Sequence, residues 1–452
     1  MIETRQMLRD GTTYDLPNVL LFDVSNLTLG CKIIFKARDP FDPESWTDAV
    51  HFEFEGYDTE PFWDDDGKTY INGAHAWKIG PWIQQAEADL DTGEVGEWRT
   101  IWNGTGGMAP EGPHIYRRDG YYYLLAAEGE ANGEQFKLSD MPIYFKMPLG
   151  IATRSGPEWL NFPMGRETVM TSATWNQGEW PYLTPIEGKM SGWKMPPENL
   201  DLEGHGPLIT LGEVEGDAFD FAPNSTLPIH LTYWRYPIES SYTVSPTEKP
   251  SSLRLTPSKL NLTAINGNYA GPEGQTFIGR RQQDTLFTYS VELDFQPAEE
   301  EEEAGVTVFL TQNHHLDLGV VLLPASGSTQ PFPGQNLTTG GNPTDLKLQF
   351  RFRAMSYVPV PADIVAPVPE DWLGTTLRLE IKAVNTTHYS FSAGPAGSVS
   401  QTRILVCASN DAISWGFTGV FLGVYSNSNG GTGNTPAYIS NWEYTPQGQF
   451  RD

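Results

Sequence analysis

Two short acidic stretches hold the residues whose types and placement best suit proton chemistry. In Met108-Ala109-Pro110-Glu111-Gly112-Pro113-His114-Ile115-Tyr116, the carboxyl group of Glu111 lies between Pro110 and Gly112-Pro113. Proline fixes φ on both sides, so few turn geometries are open to this residue. The chain then runs through Arg117-Arg118-Asp119-Gly120 into Tyr121-Tyr122-Tyr123-Leu124-Leu125-Ala126-Ala127. Asp-Gly accepts the positive φ of a tight hairpin, which puts Glu111 on one strand and braces it with a second. A carboxyl held in this way can give or take a proton; a solvated turn acid is the plainer reading. Upstream, Gly56-Tyr57-Asp58-Thr59-Glu60-Pro61-Phe62-Trp63 leads into Asp64-Asp65-Asp66-Gly67 and Lys68-Thr69-Tyr70-Ile71. The layout repeats: an acid, a proline, aromatics, a D-G turn and an aromatic strand. Recurrence at roughly 50 residues points to propeller blades.

The elements that must position these acids are strands. With 452 residues the chain has room for two or three domains. Its 45 glycines, 35 prolines and 12% aromatic content describe a turn-punctuated all-β protein. A net charge of −28 argues against nucleic-acid partners and anionic membrane surfaces, whereas a neutral polysaccharide is indifferent to it. No apolar run approaches the ~20 residues of a membrane span. Cys31 and Cys407 lie far apart and imply neither a disulfide framework nor a metal cluster, and no cofactor is implied.

Residues 1–196 read as the propeller part, 197–214 as a Pro/Gly/acid-rich linker, and 215–452 as a β-sandwich of jelly-roll type. Strands are expected over Val19–Phe22 and Cys31–Ala37. In the second half they are expected over Leu231–Tyr236, Ser252–Leu255, Asp284–Phe295, Gly305–Leu310, Leu377–Lys382 and Gly419–Tyr425. The acidic run Glu299–Glu303 reads as a solvated hairpin loop. His314 and His315 are adjacent on a strand and so point to opposite faces, which argues against a metal pair.

The Tyr57–Tyr70 stretch, Ala109–Gly129 and the later Pro163-Met164-Gly165-Arg166-Glu167-Thr168 resemble, in order, motifs of the family 43 glycoside hydrolases. These are β-xylosidases and α-L-arabinofuranosidases built on a five-bladed β-propeller. Gln275–Gln283 resembles the concanavalin-like domain attached to the family's β-xylosidases. The resemblance implies inverting hydrolysis, in which a protonated carboxyl assists the leaving oxygen and a second carboxylate activates water. Matched by motif, Glu111 would be the general acid and Asp58 its pKa modulator, with Glu60 the alternative to Asp58. Arg166 would face the sugar, a xylo-oligosaccharide or arabinoside.

The family's general base lies in a first blade that has no match here, so this chain is expected to begin inside the second blade. Asp10, Asp15 and Asp23 read as turn or strand-edge acids. The stretch from Glu130 to Ile151 is shorter than the family's and lacks its G-H-x-D motif; His205 reads as a linker residue. Hydrolysis by such a chain would be weak, and a non-catalytic carbohydrate-binding protein is the alternative. Trp175, Trp180 and Trp193 read as blade packing. Six sequons, at Asn26, Asn103, Asn224, Asn261, Asn336 and Asn385, suit a secreted glycoprotein, although Met1–Gln6 has no apolar core of a signal peptide.

Overall fold

Strands carry the fold, as the turn-rich composition requires. The structure is a computed structural model that describes residues 2–3, 18–23, 31–39, 42–75, 79–104, 109–129, 148–149, 153–155, 158–160, 163–165, 167–168, 173–183, 216–228, 230–264, 274–335, 342–414 and 418–448. Contacts group the chain into two compact units. One comprises Met1–Met147, Thr153–Trp159 and Val169–Met190; the other comprises Pro148–Ala152, Leu160–Thr168 and Ser191–Asp452. Two short segments inside the first 196 residues thus group with the second unit, and the linker expected at 197–214 lies outside the described residues. Among the described residues no helix is long and apolar enough to cross a membrane.

The first unit contains β1 (Ile2–Glu3), β2 (Asn18–Asp23), β3 (Cys31–Ala37), β4 (Val50–Glu53), β5 (Tyr57–Trp63), β6 (Thr69–Ala74), β7 (Ile83–Glu87), β8 (Arg99–Trp102), β9 (Ala109–Arg118) and β10 (Tyr121–Gly129). β1–β4 form one antiparallel sheet in chain order, β5–β8 form a second, and β9 pairs with β10. Four-stranded meanders of this kind are propeller blades. Alternation sets their faces: Phe52 and Phe54 are buried while Glu53 and Glu55 are exposed, as a strand period of two dictates. Phe52 and Phe54 join Ile34, Ile71, Ala88 and Leu90 in one apolar core. The β9–β10 turn has Asp119 at φ 51° and Gly120 at φ 81°, the two positive values a tight hairpin needs.

The second unit is a two-sheet sandwich. One sheet runs in the spatial order Thr232–Tyr233, Thr276–Arg281, Phe421–Asn427, Glu303–Thr311, His314–Pro324, Leu346–Met355 and Ile364–Pro367. The other runs Tyr242–Val244, Leu253–Leu255, Ala437–Gly448, Leu286–Asp294, Leu377–Ala383, His388–Pro395 and Arg403–Ser409, with Asp217–Phe219 also paired to Ala437–Gly448. Val306, Leu318, Phe352 and Val424 from the first meet Val291, Leu379 and Phe391 from the second in one core.

The acidic run does not behave as a solvated loop. Glu302 is 1% exposed, and its carboxylate accepts from the backbone N–H groups of Ala298 (2.7 Å), Glu299 (2.9 Å) and Thr435 (2.6 Å). Glu303 is 2% exposed and pairs with Arg351 Nη2 at 2.5 Å. Tertiary partners that a local composition reading does not see have turned two acids inward. His314 and His315 are both buried. His315 Nδ1 bonds Asp317 Oδ2 at 2.8 Å, and no group of metal-ligating side chains occurs among the described residues.

Asp217 makes a second buried ionic centre in this unit. Its Oδ2 forms an ion pair with Arg280 Nη1 at 2.9 Å and accepts from His230 Nε2 (3.2 Å) and Trp442 Nε1 (3.2 Å). Burial alone would raise this carboxyl, but the His230 hydrogen bond and the Arg280 charge more than offset it and hold it below its ordinary range. Asp217→Asn should cost about 1.5–3 kcal/mol, the size of a charge-assisted hydrogen bond lost. The deficit should shrink on acidification, because only the parent loses an ionised carboxylate as pH falls. Urea midpoints at pH 7 and below the ordinary carboxylate value of 3.8 check this; a variant as stable as the parent at pH 7 would show that the cluster contributes nothing.

Candidate active site

The two acidic motifs meet across β5 and β9. Tyr57 Oη donates to Glu111 Oε1 at 2.6 Å, Gly112 N–H donates to Asp58 Oδ2 at 3.0 Å, and His114 Nδ1 bonds Glu60 Oε1 at 2.7 Å. All three contacts span the same offset, 54 residues. The repeat read in the sequence is therefore a spatial register, in which equivalent strands of successive blades run side by side. Further along, Tyr122 Oη donates to Asp64 Oδ2 at 2.6 Å, and Arg117 pairs with Asp64 and Asp65. These contacts fasten the β9–β10 hairpin to the D-D-D-G turn.

Irregularities in both strands make the meeting possible. In β5, Tyr57 pairs with Ala74 but Glu60 pairs with Asn72, so one extra residue is accommodated. Asp58 takes it up at φ 51°, a left-handed conformation that Asp tolerates better than most residues. In β9, His114 pairs with Leu125 but Glu111 pairs with Ala127, and Gly112 sits at φ 55°. A Cβ at Gly112 would meet nothing within 4 Å, so glycine is needed there for its backbone freedom and not for space. Consecutive side chains of a regular strand face opposite ways; with the bulge, Tyr57 and Asp58 both reach the Glu111–Gly112 segment.

The structure thus sets the Asp58 carboxylate on the N–H of Gly112, the residue after Glu111. Glu60, weighed as an alternative to Asp58, is 9% exposed and committed to His114. Arg166 lies outside the described residues. Its neighbour Gly165 is held within the second unit at φ 68°, where a Cβ would come within 2.3 Å of the Thr418 carbonyl carbon. The Val420 N–H bonds the Pro163 carbonyl at 2.8 Å beside it. Asp10, Asp15, His205 and Trp193 are likewise outside the described residues, and Asp23 is described only as the end of β2.

Trp175 packs edge-on against Tyr123 at 4.8 Å and takes the Arg118 guanidinium over its ring, also at 4.8 Å. Trp180 meets the same tyrosine at 5.5 Å but stays 67% exposed. Sequence reasoning missed Tyr57 and His114; the only signal was their position next to, or three residues from, an assigned acid. Burial first, then the hydrogen bond to Glu111, pushes the Tyr57 phenol far above its ordinary range, so it remains a donor.

Residues 30–139 match the model of glycosyl hydrolases family 43, and residues 218–330 match the β-xylosidase C-terminal concanavalin A-like domain. The chain is 28% identical over 387 residues to the non-reducing end α-L-arabinofuranosidase BoGH43B of Bacteroides ovatus, covering 77% of this chain and 65% of that protein. It is 25% identical over 337 residues to a β-xylosidase of Bacillus subtilis, covering 61% of this chain and 60% of the relative. It therefore spans a little under two-thirds of the length of these curated relatives. Among solved structures, the GH43 BlXynB protein from Bacillus licheniformis aligns with TM-score 0.66 at 19% identity, over 98% of this chain and 85% of that one. Xylan β-1,4-xylosidase from Bacillus halodurans aligns with TM-score 0.67 at 19% identity, over 95% and 84%. The acid-bearing strands β5 and β9 both lie within the segment that matches glycosyl hydrolases family 43, and the sandwich strands begin with the segment that matches the β-xylosidase C-terminal domain.

Proposed function

We propose that this protein is an inverting glycosidase acting on xylan- or arabinan-type carbohydrates, releasing xylose from β-xylosides or arabinose from α-L-arabinofuranosides. Glu111 is the general acid, Asp58 is the carboxylate that tunes and orients it, and Arg166 contacts the sugar. The observation that carries this reading is the double contact of Tyr57 and Asp58 with Glu111–Gly112. It supports a carboxyl held by named partners in a bulged, strained segment, and such strain collects at functional sites. The names of the relatives, an arabinofuranosidase and a β-xylosidase, support the substrate class.

In this reaction the Glu111 proton passes to the glycosidic oxygen as its bond to the anomeric carbon breaks. Water joins that carbon from the opposite face, with its proton taken by a second carboxylate. The acids assigned here serve the departing side. Aryl β-xylosides and α-L-arabinofuranosides test the reading directly. The expected result is turnover of at least one, with NMR of the first-formed sugar showing an inverted anomer. Retention of configuration would reject the inverting route. Tight binding of xylo-oligosaccharides with no turnover of either glycoside would favour a carbohydrate-binding protein.

A further inference from the structure

We infer that Tyr57 is a positioning residue for proton delivery: by donating to Glu111 Oε1, it confines the acid's proton to Oε2. The inference deepens, and rests on, the reading of Glu111 as the general acid.

A protonated carboxyl has two nearly equivalent oxygens, and an acid that carries its proton on the wrong one must rotate or exchange before it can help. Tyr57 removes the equivalence. Its hydroxyl lies 2.6 Å from Oε1, and an oxygen that accepts from a phenol plays the carbonyl part. The donor role is fixed, since burial and then the Glu111 contact hold the phenol in its O–H form. The charge of its neighbour Asp58 opposes phenolate formation further. The backbone is built for this contact. The bulge at Tyr57–Glu60 and the left-handed Asp58 turn two consecutive side chains toward β9, one onto the carboxyl and one onto the next N–H. Asp58 thereby fixes the backbone of the acid while Tyr57 fixes its proton. In the reaction the Oε2 proton moves to the departing oxygen, that oxygen keeps the electron pair of the broken bond, and Glu111 is left as a carboxylate still accepting from Tyr57. The Tyr57 proton is never transferred.

Dependence on the leaving group separates this role from a merely structural one. A 2,4-dinitrophenyl glycoside departs without a proton, whereas an unsubstituted phenyl or alkyl glycoside needs one. In the full chain, Tyr57→Phe should lower kcat roughly 10- to 100-fold on the phenyl glycoside, as expected for losing a charge-assisted hydrogen bond, and leave the dinitrophenyl glycoside nearly unchanged. Equal losses on both substrates, or none on either, would overturn the inference. The isosteric 4-aminophenylalanine at position 57 keeps a weaker donor in place and stands in if the phenylalanine variant does not fold. It should retain most of the phenyl-glycoside rate, and a loss that is equal on the two substrates rejects the inference again. Glu111→Gln serves as the reference. If it is itself insensitive to leaving group, the acid assignment falls and this inference with it. If it is selective and Tyr57→Phe is not, only the role of Tyr57 falls.

Discussion

With Glu111 as the proposed general acid, Glu111→Gln should lower kcat on unactivated aryl xylosides or arabinofuranosides by about 10²–10⁴-fold, the contribution of a positioned general acid. The protein should stay folded. Glutamine has the same shape, its amide oxygen can accept the Tyr57 hydrogen bond in place of Glu111 Oε1, and the Gly112–Asp58 contact is untouched. What is lost is the one property an amide lacks, a proton that can leave. The deficit should therefore shrink as the leaving group improves and nearly vanish for a dinitrophenyl glycoside. Steady-state rates across a series of aryl leaving groups measure it. Full activity of Glu111→Gln on the phenyl glycoside would place the acid elsewhere in the chain. Glu60 would not inherit the role by default, because its carboxylate is buried against His114.

Arg351→Met should destabilise the sandwich by about 3–5 kcal/mol, the cost of leaving a buried charge without its partner. Glu303 is nearly inaccessible, and Arg351 reaches it through Nε (3.3 Å) and Nη2 (2.5 Å) while Nη1 pairs with Glu301 at 2.8 Å. The other groups facing Glu303 are Asn429 at 3.1 Å, the Tyr425 hydroxyl at 3.1 Å and, at longer range, Arg353. Burial alone would raise the Glu303 carboxyl. The Arg351 charge and hydrogen bonds, then Arg353 and Asn429, carry it instead from 4.5 down to about 2.

The sign follows from proton uptake. The unfolded chain binds a proton at this site before the folded one does, so the stabilisation is complete above about 4.5 and is lost as pH falls toward about 2. In Arg351→Met the order reverses, because a buried carboxyl without its arginine takes up a proton more readily than the unfolded chain. Acid then relieves the variant, and the gap to the parent should narrow between pH 7 and pH 5. Urea unfolding at several pH values measures both effects, and a gap that widens on acidification would refute the account. Arg351→Met combined with Glu303→Leu should recover most of the loss, since an apolar pair of similar volume removes the unpaired charge.

What the sequence determined by itself was local. Asp119-Gly120 specified the β9–β10 hairpin because that dipeptide accepts two positive φ values. Alternation set which side of a strand is buried, as in Phe52 and Phe54, because the strand period is two. The acid-Pro-aromatic-DG layout, repeated along the chain, singled out Asp58 and Glu111 and carried the family resemblance. The tertiary structure decided partners. Strict alternation would put Tyr57 and Asp58 on opposite faces; a one-residue bulge turns both toward β9, and no residue type announces it. Composition made Glu299–Glu303 a solvated run, yet Arg351 and Thr435, far along the chain, draw Glu303 and Glu302 inside. The register of β5 against β9 likewise gives Gly112 to Asp58 and His114 to Glu60, partners that no local pattern names. Turns and alternation are fixed by backbone sterics within a few residues, whereas the partner of a charge depends on which distant strand the folded register sets beside it.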